Sequence, residues 1–334
     1  MRILVDAMGG DNAPDEIIKG ALLAAPEVDA TIVLLGDEEL IRNKIGKKMP
    51  KNIEIKHTSE VVTADDTPTK AIKTKKDSSM VVGCTMIKEK QGDAFISAGN
   101  TGALLTGALL VTGRIKGVSR PTLCPTLPSQ NGPFVIVDAG ANADCKPEYL
   151  VQFAKMGSIY AEKTLGINNP RVGLMNIGSE NEKGNEFVKS AHELLEKEEG
   201  LNFIGNVEGR DSMLGNVDVV VCDGFTGNVI LKSLEGCGKA IINILKTEFS
   251  KGILGKIGAV LMIPGLIFML PALKRVLHKI DYTEYGGALF LGIEGGIIKC
   301  HGSSKSKEIR RAIKQAYEFV KNDTVESIKA SIKD

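Results

Sequence analysis

The sequence predicts an α/β protein built from two units, in each of which the strands of a mostly parallel sheet alternate with helices. Three observations carry this. From residue 2 to residue 112, short apolar runs alternate with helical stretches, the signature of a parallel sheet covered on both faces. The segment 120–133, RPTLCPTLPSQNGP, holds four prolines and interrupts that series, and a second series starts after it. The length of 334 residues suffices for two such units.

In the first series, Arg2 to Asp6 (RILVD) reads as a buried strand, and Pro14 suits the first turn of a helix over 14–25. Thr31 to Leu35 is a second strand, followed by a helix over 38–46, and Ile53 to His57 is a third. Thr67-Pro68 opens a Lys-rich helical stretch, and 78–90 is another helix. Strand 93–97 and helix 101–112 complete the series. Proline is excluded from helix and central-sheet interiors, so 120–133 reads as an irregular crossing and marks the first boundary. The second series has strand 134–138 (FVIVD), a turn AGANADC, and a helix from Pro147 to Leu165 closed by Gly166. Strands 171–176, 202–206 and 217–222 follow, with a helix near 185–198. From about 305 the chain is helical, with Ile309, Ala312, Ile313, Ala316, Tyr317 and Val320 at helical spacing. Asp323 and Glu326 form a capping-box pattern for a last short helix. A tail folding back on the first unit gives a discontinuous first domain, 1–119 plus 297–334, and a second domain, 120–296.

Composition excludes several functions. A net charge of +1 with no Trp and only 4% aromatic residues supplies neither the field nor the stacking surface for nucleic acid. The six cysteines form no CxxC pair, which argues against a zinc ribbon or a disulfide framework. No GxGxxG fingerprint and no metal-binding aspartate cluster is found, so no cofactor and no metal is expected. The amino-terminal MRILVDAMGGD runs directly into a strand and has no signal-peptide character, so the cytoplasm is the expected compartment.

The chemistry concentrates at strand ends. Residues 93–105 (DAFISAGNTGALL) and 220–231 (VCDGFTGNVIL follows Val220) each read as a strand, a small-residue turn and a helix start, and share Gly-x-Thr-Gly at Gly99, Thr101, Gly102 and at Gly224, Thr226, Gly227. A helix amino terminus holds anions, and glycines let the backbone approach them. Two such elements, with Asn100, Asp223 and Asn228 beside them, point to a phosphate-handling cleft; ordinary tight turns are the alternative. Gly9, Gly10, Asp11 and Asn12 follow the first strand, where ligands of open α/β sheets bind, and Asp6 either caps that turn or contacts the ligand. In the loop GSENEKGNE (178–186), Lys183 is suited to meet a phosphate or polarise a carbonyl. His301 and Ser303 belong to HGSS (301–304), ahead of the last long helix, and His301 is the best-placed titratable group. His57, His192 and His278 have no motif around them. Cys145 adjoins Lys146, which would lower its pKa, but no nucleophile elbow is present and covalent catalysis is not favoured.

Residues 257–273, IGAVLMIPGLIFMLPAL, carry no charge and are flanked by Lys251, Lys256, Lys274, Arg275, His278 and Lys279. Seventeen residues with two internal prolines fall short of the roughly 20 a spanning helix needs. The segment reads as an apolar helical hairpin within 252–280 that meets a membrane surface through Leu261, Ile263, Leu266, Ile267, Phe268 and Leu270. A buried dimer-interface helix is the alternative.

Taken together, DAMGGDNAP (6–14), ISAGNTGAL (96–104), GRIKG with RP (113–121), DAGANADCKP (138–147), KGNE (183–186), DGFTGNV (223–229), YGGA (285–288) and HGSS (301–304) span nearly the whole chain. In these motifs the chain resembles the PlsX family, the acyl-[acyl-carrier-protein]:phosphate acyltransferases of bacterial phospholipid synthesis. Asn12 departs from the His common at this place in the family, so position 12 is no acid or base here. The resemblance implies two α/β/α domains like those of phosphate acetyltransferases and isocitrate/isopropylmalate dehydrogenases, with a cleft between them, in a homodimer. It implies that inorganic phosphate attacks the thioester of a long-chain acyl carrier protein, and that the acyl phosphate passes to a membrane glycerol-3-phosphate acyltransferase. The enzyme would then be cytoplasmic and peripherally membrane-associated. Phosphate would be held by Gly9, Gly10, Asp11, Asn100, Thr101, Gly102, Thr226, Gly227, Asn228 and Ser303. Lys183, Asp223 and His301 would be the catalytic residues, with Lys183 or backbone N–H groups stabilising the oxyanion and His301 supplying a proton. A coenzyme A-dependent phosphate acetyl- or butyryltransferase and a non-catalytic membrane scaffold for lipid enzymes are the rival readings.

Overall fold

Strands β1 (Arg2–Asp6), β2 (Thr31–Gly36), β3 (Ile53–His57) and β4 (Ala94–Ser97) pair in parallel, with β1 central between β2 and β4. The computed structural model describes residues 1–250, 268–272 and 285–332. Helices α1 (Asp15–Ala24), α2 (Glu38–Ile45), α3 (Pro68–Thr74) and α4 (Ser79–Lys88) connect these strands, close to the spans expected. Strands β1, β2 and β4 are buried on both faces, whereas the edge strand β3 is largely exposed, so the residues of the three inner strands alternate between two cores. Ile3, Val5 and Ile96 enter one, and Leu4, Phe95 and Ile297 enter the other. This explains the unbroken apolar runs in sequence. Helix α5 (Thr101–Gly107) continues into a π-helical turn, Ala108–Thr112.

The proline-rich crossing is not irregular. It contains β5 (Thr122–Cys124) and β6 (Thr126–Ser129), which belong to different sheets. Both are edge strands, where missing proline N–H groups cost no ladder bonds, and Pro128 faces Pro133 across the β6–β7 pair. The change of sheet falls at Pro125. With β7 (Gly132–Val137), β8 (Val172–Met175), β9 (Phe203–Val207) and β10 (Val219–Val221), the second sheet has the order β6-β7-β10-β8-β9. Its helices are α6 (Pro147–Lys163), α7 (Glu186–Glu196), α8 (Gly209–Leu214) and the 27-residue α9 (Gly224–Ser250). Five residues, 268–272, form a further helical turn, α10.

The first sheet is completed by β11 (Ala288–Leu291) and β12 (Gly296–Lys299), giving the order β3-β2-β1-β4-β12-β11-β5. Sequence reasoning had no strand at β11 and began the return to the first unit at 297; sheet membership moves that return to 288. Helix α11 (Ser306–Lys321) packs on α1, where Gly20 leaves room for Ile309. Helix α12 (Thr324–Ser331) follows, but Asp323 does not cap it through its side chain as expected; it sits instead at φ 49°.

Candidate active site

Two buried aspartates shape the strand ends. Asp6 closes β1 and accepts from Ser79 Oγ (2.6 Å), Ser97 Oγ (2.6 Å) and Met8 N (3.1 Å). Asp138 follows β7 and accepts from Leu123 N (2.8 Å), Gly140 N (3.2 Å), Ala141 N (3.1 Å) and Asn142 N (2.7 Å). Burial pushes both carboxyls above the usual range. Val5-Asp6-Ala7 and Val137-Asp138-Ala139 thus place one turn anchor at each sheet.

The turn after β1 is pinned to the 301–304 loop. Asp11 N donates to Gly302 O (2.8 Å), and Asn12 Nδ2 donates to Ser303 O (3.0 Å) and Ser304 O (3.2 Å). Gly9 is needed for packing: a Cβ there would lie 2.3 Å from Asp6 Oδ2 and 2.9 Å from Gly99 N.

Two cavities open at the carboxyl ends of the parallel strands, the place where open α/β sheets bind ligands. The first, about 340 Å³, lies between the sheets. Leu123, Pro125, Leu127, Ala139 and Leu231 give it an apolar wall; Asn228, Lys232, Glu235 and His301 give it a polar one. The second, about 510 Å³, is bounded by Gly10, Asp11, Thr63, Ala98, Asn100 and Gly102. Thr101, Lys299 and Gly302 line both.

Of the residues expected to hold phosphate, the structure brings Gly10, Asp11, Asn100, Thr101, Gly102 and Asn228 to these cavities. Several of the expected residues are also, or instead, engaged within the protein. Asn100 also caps α5 (Ala103 N to Oδ1, 3.1 Å), and its Nδ2 donates to Ala64 O (3.1 Å) and Asp66 O (3.2 Å), tethering the 63–66 loop. Thr226 gives its N–H (2.9 Å) and its hydroxyl (2.7 Å) to Asp223, so the start of α9 is occupied by the chain's own carboxylate. A Cβ on Gly227 would meet Asp138 O at 1.9 Å, so this glycine is a packing residue. Ser303 Oγ lies 2.8 Å from His301 Nδ1 and does not line either cavity.

Among the expected catalytic residues, only His301 lines a cavity. Its Nδ1 accepts from Ser303 N (3.2 Å), which leaves the proton of the neutral ring on Nε2. Desolvation lowers its pKa, and Lys232 and Lys299 act in the same direction against Glu235. A lowered value makes imidazolium scarce at neutral pH, which opposes the expected role as proton donor. Lys183 is exposed in the loop before α7, its carbonyl accepting from Asn176 Nδ2 (3.0 Å), and it stands outside both cavities. The thiols are not activated: burial pushes Cys145 to about 11 and Cys222 well above its ordinary value. Lys146 therefore does not lower the Cys145 pKa as expected. Buried His192 pairs with Asn206 at 3.0 Å, in keeping with a packing role.

Sequence reasoning missed Lys299. It closes β12 with only 9% of its surface exposed, and its Nζ reaches the carbonyls of Ala98 (3.5 Å) and Cys300. Burial lowers its pKa. The signal was present as a lone lysine ending an otherwise apolar strand, immediately ahead of Cys300-His301.

The expected membrane residues Leu261, Ile263, Leu266 and Ile267 lie outside the described residues, as does most of 252–280. Phe268 (87% exposed), Met269 and Leu270 are described and are exposed. Among the described residues no helix is long and apolar enough to cross a membrane, and no cluster of side chains suits a metal ion.

The architecture is that of the phosphotransacylase and hydroxythreonine-phosphate dehydrogenase folds. A phosphotransacetylase from Streptococcus pyogenes superposes with a TM-score of 0.67 over 96% of this chain and 94% of its own, at 14% identity. A 4-hydroxythreonine-4-phosphate dehydrogenase from Klebsiella pneumoniae gives 0.53 over 96% and 98%, at 12% identity. At such identities the likeness concerns the fold alone. The sequence is more specific: residues 1–327 match the family described as "Fatty acid synthesis protein", and the chain belongs to that family, which is the PlsX family of the resemblance. A relative from Thermoanaerobacter pseudethanolicus named phosphate acyltransferase is 54% identical over 99% of this chain and 97% of its own. One from Brevibacillus brevis, with the same name, is 50% identical over the same shares. The chain is thus an enzyme of the acyltransferase class.

Proposed function

We propose that this enzyme transfers a long-chain acyl group reversibly from the thioester of acyl carrier protein to inorganic phosphate. The observation that carries this is the pair of neighbouring cavities that share Thr101, Lys299 and Gly302 in their walls, in a chain whose relatives are named phosphate acyltransferases. The reaction brings a small hydrophilic anion to a carbonyl that carries an apolar tail. The apolar wall of Leu123, Leu127 and Leu231 suits the acyl side, and the polar second cavity suits phosphate.

An oxygen of hydrogen phosphate attacks the thioester carbonyl carbon. A C–O bond forms, the C–S bond breaks, and its electron pair leaves with sulfur. The proton carried by phosphate ends on the thiol. A thiol pKa near 8.5 makes sulfur a competent leaving group with little acid assistance. The enzyme's main work is to overcome charge repulsion and align two reactants. Gly10, Thr101, Gly102 and Asn228 are the phosphate contacts of this reading. Asp223 with Thr226 and Gly227, and Gly9 with Asp11, fix the loops behind them. Lys183 and the side chain of Ser303 take no part in it.

The product feeds phospholipid synthesis, which suits a cytoplasmic homodimer that touches the membrane surface. The exposed Phe268 and Leu270, with Ile241, Ile244 and Leu245 near the end of α9, support an apolar contact. Replacing Phe268 and Leu270 by Asp is expected to weaken sedimentation with anionic vesicles; unchanged binding would remove this contact.

The test of the reaction is phosphate-dependent release of free thiol from palmitoyl-carrier protein, with palmitoyl-coenzyme A in parallel. Release from the carrier, with acyl phosphate appearing in step, is expected. Release from coenzyme A alone would replace this reading by a coenzyme A-dependent phosphotransacylase, and no release from either donor would leave a scaffold.

A further inference from the structure

Lys299 is a charge without a carboxylate. Its ammonium has three donors, and the carbonyls of Ala98 and Cys300 take two of them. Among the described residues no carboxylate forms an ion pair with it. The carboxyls that act on it, Asp6 and Asp11, do so only through space, and Asp6 is already engaged with Ser79 and Ser97. A buried ammonium is costly unless an anion compensates it. Lys299 lines both cavities, as do Thr101 and Gly302. An anion in the second cavity, whose wall includes Lys299, would therefore supply the negative partner that the described residues do not.

We propose that Lys299 is the catalytic residue that holds the phosphate nucleophile, its third N–H contacting a phosphate oxygen at the wall that the polar cavity shares with the apolar-walled one. This rests on the acyl-transfer reading above and deepens it. The cation offsets the repulsion between the phosphate charge and the electron density that builds on the carbonyl oxygen during attack. The carbonyls of Ala98 and Cys300 fix the ammonium, so little side-chain freedom is lost when phosphate arrives. A structural lysine tying those two carbonyls together is the competing explanation, and the two differ in what phosphate does.

The experiment uses the full chain, Lys299→Met and Lys299→Arg, with inorganic phosphate as probe. Two quantities are read: the rise in Tm produced by phosphate, and the KM values for phosphate and for palmitoyl-carrier protein. Loss of one charge-assisted hydrogen bond to an anion is expected to raise the phosphate KM about ten- to a hundredfold in Lys299→Met. The carrier-protein KM should move less than about threefold, and the Tm rise with phosphate should vanish. Lys299→Arg should recover part of both effects. An unchanged phosphate KM, or equal losses on both substrates without recovery by Arg, would overturn the assignment. If Lys299→Met does not fold, reductive methylation of the wild-type chain with and without phosphate, mapped by peptide, decides: protection of Lys299 is expected, and equal labelling overturns it. A wild type that binds phosphate through Lys299 yet releases no thiol would retain this site and sink the acyl-transfer reading. Thiol release with no Lys299 dependence of the phosphate KM would do the reverse. A wild type that neither binds phosphate nor releases thiol would overturn both.

Discussion

The side-chain amide of Asn12 donates to the carbonyl of Ser303 at 3.0 Å, across 291 residues of sequence, and to that of Ser304 at 3.2 Å. These bonds fasten the turn after the first strand to the loop before the last long helix, and both segments frame the cleft. A neutral amide suits the task, since it offers two donors to two carbonyls. Asn12→Ala removes both bonds and is expected to cost about 1–2 kcal/mol of stability, read from urea unfolding. Asn12→Asp, which sets a carboxylate against the same carbonyls, should cost more than Asn12→Ala near neutral pH; an equal or smaller loss would show that the bonds do not hold the loop.

Gly227 separates packing from ligand contact. A methyl group there meets the carbonyl oxygen of Asp138 at 1.9 Å, and backbone is not easily displaced. Gly227→Ala should therefore destabilise by roughly 3 kcal/mol or more by overpacking, and lower Tm accordingly. A variant of unchanged Tm but reduced phosphate affinity would instead assign Gly227 to the ligand.

His301 is expected to contribute little as an acid. Its pKa is displaced downward, so above about pH 6.5 the ring is neutral, and the neutral form grows further as pH rises. His301→Gln should keep turnover within about tenfold of wild type and leave the pH profile above 7 unchanged. Loss of a basic limb together with a hundredfold fall in kcat would restore His301 as the proton donor.

The 63–66 loop, a wall of the polar cavity, is held partly by charge. The Lys75 ammonium, 2.5 Å away, and the Thr63 N–H hold the Asp66 carboxyl down to about 2 from its ordinary 3.8. Because the native state binds this proton less tightly than the unfolded chain, the contribution is complete above pH 3.8 and is lost as pH falls toward 2. A carbon-detected NMR titration of Asp66 should give a midpoint near 2, moving back toward 3.8 in Lys75→Met. A midpoint that ignores Lys75 would remove the pair.

The cysteines offer a chemical check. Cys237 is exposed, whereas the Cys145 thiol is half-buried and held at about 11. A thiol reagent at pH 7.5 should label Cys237 well before Cys145, because only the thiolate attacks. Cys145→Ala should keep turnover within about twofold. Inactivation by that substitution would reopen the covalent route.

Much of the architecture was legible in one dimension because its causes are local. Apolar runs such as RILVD and FVIVD announce strands buried on both faces, and Asp37, Ser78 and Asn185 cap the helices that follow them. The glycine-rich turns marked the right strand ends, and the motifs placed the chain in its family. The use of individual residues was not legible, because it depends on which segments meet. Gly9 and Gly227 looked like ligand glycines and turned out to make room for Asp6 and Asp138, since a glycine in sequence does not reveal what crosses it. The strands β5 and β6 escaped notice because proline is tolerated at a sheet edge, and an edge is defined only by the assembled sheet. Lys299 escaped because a lysine is ordinarily solvated; only the packing of β12 between β4 and β11 removes its water and sets it in the wall shared by two cavities. The sequence by itself determined the fold class and the strand ends that carry chemistry. Tertiary structure alone decided which polar groups remain free there, because a hydrogen-bonding group already satisfied by a distant segment has nothing left to offer a ligand.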